Sequence, residues 1–371
     1  MRNILDDIQS TLLLGAGPSS VAPSTYHALS CNTLGHLDPH FIRIMDEIKE
    51  YLRVLLGTKN EITVPLSGTG SAGMEAAFVN IIERGDKVLV LQNGVFGKRM
   101  VDVAQRLGAQ VTELEFKWGT PVDCDVVKEQ LDKDQYKILA VIFAETSTGV
   151  RNPVKEIGEL LHGKETLYLV DAVTAVGGIP VEVDAWGIDI CYAGSQKCLA
   201  CPPGASPITF SDRAFQYIKA RETKVPNWYL DMTLLTQYWG GNTRVYHHTP
   251  PINMMYGIYQ ALFNIIEEGP QNVFLRHQKA HEALVSGLSD IGWSMLVEEE
   301  YRLPMLNVVV VPDGVNEALL RSRLLSEYMI EVSSGLGELA GKVIRIGLMG
   351  YNAKVENVNR LLNAMKQILD L

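Results

Sequence analysis

Short apolar runs alternate with amphipathic stretches in the first half of the chain, and this alternation restricts the possible folds more than any other feature. The runs that predict strands are residues 88–91, 111–114, 138–143, 167–170 and 188–192. Helical spacing, as in residues 99–107, separates several of them. Strands joined by helices build βαβ units, whose parallel sheet is covered by helices on both faces. The sequence therefore predicts an α/β fold around a mostly parallel sheet.

The length of the chain predicts two domains. Its 371 residues exceed the usual size of one compact domain. Residues 219–251 are rich in aromatic residues but show little periodicity, so they predict a long connection. A helix is expected over residues 252–267, and strands alternate with helices again over residues 308–369. We expect an N-terminal arm at residues 1–20, a large domain at residues 21–259 and a smaller C-terminal α/β domain at residues 260–371.

The charge balance argues against nucleic acids and anionic membranes as partners. The 33 Lys and Arg residues face 43 Asp and Glu residues, and the net charge of −10 has the wrong sign for binding polyanions. No apolar run approaches the roughly 18 residues of a membrane span, and the acidic N-terminal segment does not resemble a signal peptide. The five scattered cysteines favour a reducing compartment. We therefore expect a cytoplasmic protein with small-molecule substrates.

Polar side chains follow three of the predicted strands. Residues 145–149 follow the first of these strands, Asp171 follows the second, and Lys197 comes shortly after the third. Ligands of open parallel sheets bind beyond the carboxyl ends of the strands. An acid and a lysine therefore stand at the same edge of the predicted sheet, where a ligand is expected.

A glycine-rich turn at residues 67–73 opens a helical stretch and predicts an anion site. Glycines allow several backbone N–H groups to point at one place, hydroxyl side chains add donors, and a helix N-terminus carries partial positive charge. Phosphate is the anion that fits such a turn best. The turn, the acid and the lysine together favour pyridoxal 5′-phosphate (PLP), because its aldehyde needs an amine, its ring nitrogen a carboxylate and its phosphate several donors.

The same turn also fits the dinucleotide fingerprint Gly-x-Gly-x-x-Gly, so a nicotinamide dehydrogenase or another nucleotide-binding protein is an alternative. Two details count against it. The strand before the turn, residues 63–66, contains Pro65 and is predicted to be poor, and the next strand ends in Gln92-Asn93 where a ribose-binding acid is expected. This alternative also leaves Asp171 and Lys197 unexplained.

Seven ordered motifs resemble the class V, fold type I, PLP-dependent aminotransferases, and the likeness extends from residue 13 to about residue 362. Among these, the group of alanine–glyoxylate and serine–pyruvate aminotransferases is the most similar. The resemblance implies a large PLP-binding domain followed by a small C-terminal domain. The motifs are Ser67-Gly-Thr-Gly-Ser71, Asn93-Gly-Val-Phe-Gly97, Glu145-Thr-Ser-Thr-Gly149, Val170-Asp-Ala-Val173, Gly194-Ser-Gln-Lys-Cys198, Tyr246-His-His-Thr249 and Lys342-Val-Ile-Arg-Ile-Gly-Leu348.

The resemblance implies a role for each matching residue. Lys197 corresponds to the lysine that binds the cofactor aldehyde and moves the substrate proton, and Asp171 corresponds to the partner of the ring nitrogen. Ser71 stands where some relatives have histidine, and Phe96 stands where many have tryptophan. The residues expected to bind the cofactor are Thr69, Gly70, Ser71, Phe96, Thr146, Asp171, Val173, Gln196, Lys197, Tyr246 and Thr249.

The resemblance also implies a substrate site and a partner. Arg345 lies in a buried strand, where an arginine needs a carboxylate, and it corresponds to the arginine that grips the substrate carboxylate. Ala16 and Gly17 match a segment that lines the substrate pocket. Tyr246 and Thr249 match residues that reach the phosphate of the neighbouring subunit, which implies a homodimer. The adjacent histidines at 247 and 248 lack further ligands at metal-binding spacing, so no metal is expected.

The implied activity is the transfer of an amino group from alanine or serine to a 2-oxo acid, with glyoxylate as the expected acceptor. Serine–pyruvate, ureidoglycine–glyoxylate, hydroxykynurenine and 2-aminoethylphosphonate aminotransferases remain alternatives, because only the pocket differs. Cysteine desulfurases share the fold but need a cysteine on the loop before the arginine strand, and residues 332–342 contain none.

Overall fold

A seven-stranded sheet forms the centre of the computed structural model, which describes residues 2–240 and 244–371. Among these residues the strands are β1 (Leu12–Leu13), β2 (Ile62–Ser67), β3 (Lys87–Gln92), β4 (Gln110–Glu115), β5 (Ile138–Ile142), β6 (Ala144–Glu145), β7 (Val150–Arg151), β8 (Leu167–Asp171), β9 (Ile190–Tyr192), β10 (Ala205–Phe210), β11 (Ser294–Met295), β12 (Leu306–Val310), β13 (Ile330–Glu331), β14 (Ser333–Ser334) and β15 (Val343–Gly347).

Helices connect most of these strands, as the alternating pattern predicts. They are α1 (Pro23–Leu29), α2 (Pro39–Leu56), α3 (Gly70–Val79), α4 (Val95–Arg106), α5 (Cys124–Lys133), α6 (Val154–Leu161), α7 (Asp212–Lys219), α8 (Met232–Trp239), α9 (Ile252–Glu268), α10 (Pro270–Ser289), α11 (Glu317–Tyr328) and α12 (Val355–Ile368). Short 3₁₀ turns occur at Ile4–Asp7, Glu299–Tyr301, Gly337–Leu339 and Gly350–Asn352. No helix in these described ranges combines the length and the apolar character that crossing a bilayer requires.

The central sheet is mixed but mostly parallel, which confirms the predicted α/β architecture. Its strand order is β2-β10-β9-β8-β5-β3-β4. Only β10 runs antiparallel to its neighbours, β2 and β9, whereas the pairs from β9 to β4 are parallel. The carboxyl ends of β2, β3, β5, β8 and β9 therefore meet at one edge of the sheet.

The strand before the glycine-rich turn is better formed than the sequence predicts. β2 spans six residues at the edge of the sheet, where a proline is tolerated. Pro65 lies opposite Pro207 of β10. The carbonyl of Pro207 faces the other neighbour and accepts a hydrogen bond of 2.7 Å from the Ala193 amide, while the hydroxyl of Ser206 donates to the Ala193 carbonyl at 2.7 Å. The β2–β10 pair therefore needs no amide donor at either proline.

The order of the strands also disfavours a dinucleotide site at the glycine-rich turn. A dinucleotide-binding βαβ unit places the strands before and after its helix in the same half of a parallel sheet. Here β2 and β3 lie near opposite edges, separated by β10, β9, β8 and β5. The turn after β2 is therefore not part of a dinucleotide-binding βαβ unit.

The prediction of one long connection over residues 219–251 is wrong in part, because this segment contains helix α8. Asp231 caps the helix by accepting a hydrogen bond of 2.8 Å from the Thr233 amide. The helix buries Met232, Leu235, Tyr238 and Trp239. Its aromatic residues serve the core, and they obscure the helical spacing in the sequence.

Two hydrophobic clusters support two structural units. The larger cluster surrounds the central sheet and includes Ile265 of α9 and Val273 of α10. The smaller cluster includes Ala280 of α10 and packs against a four-stranded sheet in the order β11-β12-β15-β14, which also carries Val308 and Val343 of a third, minor cluster. Because α9 runs unbroken across residue 260 and packs in the larger cluster, we propose that the boundary between the units lies within α10.

The N-terminal arm is part of the smaller unit. β1 pairs in parallel with β13, and Leu14 packs in the smaller hydrophobic cluster. The chain then crosses to the larger unit before α1 begins at Pro23. The arm therefore lies between the two units, on the side where the parallel strands end.

Candidate active site

The carboxyl ends of the parallel strands gather most of the predicted cofactor residues around one cavity of about 150 Å³. A larger groove, of about 520 Å³ and lined in part by Trp186 and Phe274, contains none of the predicted residues. The smaller cavity is lined by Gly70, Ser71, Met74, Phe96, Arg99, Ile142, Thr146, Asp171, Val173, Gln196 and Lys197.

The glycine-rich turn places a helix N-terminus at this cavity. Thr69 is the N-cap of α3, and its side chain makes no capping hydrogen bond. The first backbone N–H groups of a helix have no partner within the helix, so those of α3 are available to an anion. A side chain at position 70 would crowd Val173, since a Cβ there would lie 3.3 Å from Val173 Cγ2. Glycine therefore keeps this end of the cavity open.

Asp171 ends β8 inside the cavity lining, and only 5% of its surface is exposed. Its Oδ1 accepts a hydrogen bond of 2.8 Å from the Val173 amide. Burial raises the pKa of the Asp171 carboxyl to about 6, while the Tyr192 hydroxyl, the Val173 amide and the Lys197 amine oppose that rise. A cation held against this carboxylate would lower its pKa again.

Tyr192, at the end of β9, is a neighbour of Asp171 that sequence reasoning missed. The two residues are register partners on adjacent strands. The Tyr192 hydroxyl is buried and makes no well-formed hydrogen bond with the residues that the structure describes. It nevertheless lies close enough to Asp171 to favour the ionised carboxylate. The rule of polar groups at strand ends, applied to the last residue of the apolar run at 188–192, would have found it.

Lys197 lies in the turn after β9 and is 9% exposed. Its Nζ donates a hydrogen bond to the carbonyl oxygen of Ala16. Burial, together with the nearby charge of Arg345, lowers the pKa of the Lys197 amine to about 8. An amine with this pKa is available in its neutral form near physiological pH, as a nucleophile or a proton acceptor must be.

The predicted substrate residues Ala16 and Gly17 lie against this lysine. Gly17 has a φ of +102°, and a Cβ there would lie 2.6 Å from Lys197 Nζ. Only glycine fits both the backbone conformation and the close approach. The segment is also held to the lysine turn, because the Ser19 hydroxyl donates to the Lys197 carbonyl at 2.7 Å.

Phe96 stands in the first turn of α4 and presents a ring to the cavity. The guanidinium of Arg99 lies over this ring, 4.9 Å from its centroid. Arg99 was not predicted, although it is one helical turn from Phe96. The pair places a flat apolar face backed by a cation on one side of the cavity.

Glu145 is a buried acid that the sequence showed only as part of a motif. It is fully buried, and its carboxylate accepts hydrogen bonds from the Ser147 hydroxyl at 2.6 Å and the Gly97 amide at 3.3 Å. Gly97 lies in the first turn of α4, so this carboxylate stabilises the N-terminus of the helix that carries Phe96. Burial raises the pKa of Glu145, and these hydrogen bonds oppose the rise.

Arg345 comes to the site from the smaller unit. It lies on β15 and is 7% exposed. Its Nε donates to the Ser334 carbonyl at 2.7 Å and its Nη1 to the Thr146 carbonyl at 3.1 Å. Within residues 2–240 and 244–371 it forms no ion pair, and burial lowers its pKa while Glu145 opposes that change. A buried guanidinium held by two carbonyls and lacking a carboxylate is suited to bind one.

Tyr246 and Thr249 do not line the cavity of their own chain. Both are exposed, and their hydroxyl groups lie 3.3 Å apart. The neighbouring His247 stacks on Trp228 and contacts His248, whose Nε2 lies 2.8 Å from Ser67 Oγ. In the described part of the chain, no group of three His, Cys, Asp or Glu side chains is placed to hold a metal ion.

The residues around the cavity fit PLP. The α3 N-terminus suits a phosphate, Asp171 a protonated ring nitrogen, Thr146 a ring hydroxyl or oxygen, and Lys197 an aldehyde. The Gln196 side-chain oxygen is buried without a hydrogen-bond partner among the described residues. If the side-chain amide of Gln196 were turned over, its NH₂ group would take the position of this oxygen and could donate to an anion in the cavity.

Comparison with known proteins gives consistent matches along the whole chain. The family profile described as "Aminotransferase class-V" matches residues 23–361. The chain is 41% identical to the alanine–glyoxylate aminotransferase of Rattus norvegicus, over 98% of this chain and 88% of the relative.

Solved structures agree with the sequence matches. The alanine–glyoxylate aminotransferase of Nostoc sp. is 49% identical, with a TM-score of 0.95 and complete coverage of both chains. The ureidoglycine–glyoxylate aminotransferase of Bacillus subtilis is 37% identical, with a TM-score of 0.95 over 98% of this chain and 93% of that one. These similarities confirm the predicted fold type I.

Proposed function

This chain belongs to the class V aminotransferase family, and from that premise we propose that it transfers the amino group of alanine to glyoxylate with PLP as cofactor. The observation that carries the proposal is that Lys197 and Asp171 line one cavity, while Arg345 is held next to it by its hydrogen bond to the carbonyl of Thr146, another lining residue. An amine with a lowered pKa, a buried carboxylate and a buried guanidinium without a counter-ion are the three groups that transamination needs.

The cofactor would be held by groups from both ends of the cavity. The N–H groups at Gly70 and Ser71, the hydroxyl groups of Thr69 and Ser71 and the Gln196 amide would bind the phosphate. Phe96 and Val173 would lie against the two faces of the ring, and Thr146 would donate to its oxygen. Bound PLP would supply an electron sink for the negative charge that develops at the substrate Cα.

Lys197 and Asp171 divide the chemistry between them. With PLP bound, Lys197 would hold its aldehyde, and once freed by the substrate its Nζ would take the proton from the substrate Cα and return it to the former aldehyde carbon. Asp171 would keep the ring nitrogen protonated, because a buried carboxylate strongly favours a cation beside it. After water has released the first 2-oxo acid, the same transfers in reverse would pass the amino group to a second one.

Arg345 and the N-terminal segment select the substrate. Two guanidinium nitrogens can bind the α-carboxylate of an amino acid or a 2-oxo acid in a bidentate manner. Ala16 and Gly17 close over Lys197, and Gly17 leaves no room for even a methyl group beside the amine. Alanine is proposed as the donor because relatives along the whole chain are named for alanine and glyoxylate.

Other donors are tested by a direct screen. A relative of similar fold is named for ureidoglycine, and serine is only one hydroxyl larger than alanine. We expect the kcat/KM for alanine with glyoxylate to exceed that for serine or ureidoglycine with the same acceptor. Preference for ureidoglycine would replace the proposed donor and leave the reaction class unchanged.

Reduction with borohydride tests the cofactor and its attachment. We expect the purified protein loaded with PLP to be yellow, to lose this absorbance on reduction and to carry the reduced label on Lys197. Lys49 provides a matched control within the chain, since it is 7% exposed and equally buried but contacts Glu61 and the Trp239 carbonyl instead. A label on Lys49, or a colourless protein after PLP is added, would contradict the proposal.

The working unit in this proposal is a homodimer, in which Tyr246 and Thr249 contact the phosphate bound by the neighbouring subunit. Several apolar side chains are exposed on the segments that carry them: Trp228, Tyr229, Val245 and Tyr246 are 40–60% exposed. Aromatic residues that are exposed together are enriched in interfaces between subunits. The Tyr229 hydroxyl also donates to the Ser67 carbonyl at 2.9 Å, so these segments adjoin the phosphate turn.

Mixing two inactive variants tests whether the subunits share their sites. A Lys197→Ala subunit keeps Tyr246 and Thr249, and a subunit with Tyr246→Phe and Thr249→Ala keeps Lys197. Random exchange makes half of the dimers mixed, each with one complete site of two, so about a quarter of the wild-type activity should return. The control mixture of Lys197→Ala with Asp171→Asn should recover no activity. Lys197 and Asp171 of one subunit serve the same site, so each site of a mixed dimer still lacks one of them. Equal recovery in both mixtures would contradict shared sites.

A cytoplasmic location belongs to the same proposal. All five cysteines are free thiols, and three of them are buried. Burial raises the pKa of Cys198 to about 12, so its thiol is unreactive.

A further inference from the structure

Residues 14–19, which we call the N-terminal strap, connect the smaller unit to the turn that carries Lys197. On one side, the Gly347 amide donates to the Leu14 carbonyl at 2.8 Å, and the Ala16 amide donates to Ser333 Oγ at 2.9 Å. On the other side, the Ser19 amide donates to the Gln196 carbonyl at 2.9 Å. The Lys197 ammonium donates to the Ala16 carbonyl. The two hydrogen-bonding groups of Ala16 therefore face opposite sides of the site.

The strap is packed too tightly to slide. A Cβ at Gly15 would lie 2.7 Å from Ser333 Oγ, and a Cβ at Gly347 would overlap the Gly15 carbonyl oxygen. Gly17 is held equally close to Lys197 Nζ. These contacts fix where the strap lies, and the hydrogen bond from the Ala16 amide to Ser333 fixes how the backbone is turned at Ala16 and so the direction of its carbonyl.

Ser333 is also next to the arginine of the substrate site. It is the register partner of Arg345 across β14 and β15. The following residue, Ser334, accepts the hydrogen bond from Arg345 Nε through its backbone carbonyl. One short strand thus presents a side chain to the strap and a carbonyl to the guanidinium.

We propose that Ser333 is a positioning residue that fixes the Ala16 carbonyl against the Lys197 amine and so couples this lysine to the strand pair that holds Arg345. The inference rests on the proposed function, since it concerns the lysine after it has left the cofactor. A buried ammonium without an acceptor is unfavourable. The Ala16 carbonyl satisfies one N–H bond of Lys197 and fixes the direction of the amine.

The coupling has a consequence for the order of events. The strap contacts β14 through Ser333 and β15 through Gly347, and β15 carries Arg345. The same arrangement of β14 and β15 therefore orients the Lys197 amine and places the Arg345 guanidinium to bind a carboxylate. Proton transfer at the substrate Cα depends on both conditions at once.

Ser333→Ala, compared with Ser334→Ala, tests the proposal. Loss of the Ser333 hydroxyl should lower kcat about 3- to 10-fold, the effect of one hydrogen bond, and leave the KM for alanine within about 2-fold. Ser334→Ala should change neither, because Arg345 contacts only the backbone of that residue. This contrast separates positioning of the lysine from general support of the arginine strand.

A second readout does not depend on turnover. The rate at which cofactor-free protein captures PLP, followed by absorbance across pH, reports the pKa of the Lys197 amine. With a loosened Ala16 carbonyl the ammonium loses its acceptor, so this pKa should fall below its wild-type value in Ser333→Ala and stay unchanged in Ser334→Ala. Ser333→Cys, which is close in size and a weak acceptor, should give the same direction of change.

If Ser333→Ala does not fold, the kinetic constants and the pKa of the Lys197 amine are measured on Ser333→Cys instead. An unchanged pKa with equal rises in KM for the Ser333 and Ser334 variants would overturn the positioning role. Wild-type protein that neither captures PLP nor transfers amino groups would instead overturn the proposed function, so the two failures are distinguishable.

Discussion

Replacing Lys197 with alanine should lower kcat for amino transfer about 10⁴-fold, because the change removes both the group that holds the aldehyde and the proton acceptor. Stopped-flow or steady-state assays with alanine and glyoxylate measure this loss. The variant should still bind PLP through the phosphate turn and Asp171, so equilibrium dialysis should detect bound cofactor that borohydride does not fix to the chain. The same assay on Lys137→Ala, which breaks only an ion pair with Asp86, should show full activity. Retention of more than a tenth of the activity in Lys197→Ala would refute its role.

The pH dependence of cofactor capture follows from the surroundings of the same lysine. Burial and the charge of Arg345 lower the pKa of its amine to about 8. Only the neutral amine attacks an aldehyde, so capture by cofactor-free protein should rise with pH, with its midpoint at about 8, and level off above it. Arg345→Gln removes the neighbouring positive charge and should move the midpoint to higher pH. A midpoint near the ordinary pKa of lysine in the wild-type protein would show that the amine is solvated.

Asp171→Asn should lower kcat roughly 10²- to 10³-fold, the usual effect of removing one electrostatic group aimed at the reacting centre. The amide keeps the shape of the side chain but cannot hold a protonated ring nitrogen. Affinity for PLP in the wild-type protein should also fall as the pH drops through about 6, because burial raises the pKa of Asp171 to that value and the protonated acid loses its charge. This dependence on pH should be absent from the variant.

Asp189→Asn is the matched control for this prediction. Asp189 and Asp171 are both 5% exposed, but Asp189 pairs with Arg213 and accepts a hydrogen bond of 2.9 Å from the Tyr168 amide. Its replacement should lower the melting temperature, since it removes the charge by which a buried carboxylate pairs with the exposed Arg213, and should leave kcat within about 2-fold. Equal losses of kcat in the two variants would mean that Asp171 acts only through stability.

The fold and the centre of the site could be predicted because they depend on local patterns. The alternation of apolar runs and helical spacing indicates the parallel sheet, and the carboxyl ends of its strands bring Asp171, Thr146 and Lys197 together. The same reasoning predicted β2 to be a poor strand, because Pro65 is acceptable only where β10 needs no donor from it. Knowledge of the neighbouring strand is required for that judgement.

Residues that act through pairing distant in sequence could not be predicted. Ser333 gains its meaning from the register of β14 with β15 and from contact with a strap near the start of the chain. Glu145 looks like any acid after a strand until its burial beneath Gly94 and Gly97 is known. Helix α8 was missed because two of its four buried residues, Tyr238 and Trp239, are aromatic, and aromatic residues are common in irregular segments as well.

The contact between the strap and β14 also determines which parts of the site can form first while the chain is being synthesised. Ala16 and Ser333 are 317 residues apart, so their hydrogen bond can form only when nearly the whole polypeptide has left the ribosome. Until then the strap is held to the lysine turn from its Ser19 side alone. A newly made protein thus has an interval in which the aldehyde can reach Lys197 past a strap that is not yet fixed to β14 and β15. Loading with cofactor during synthesis should therefore be faster than loading of the finished protein.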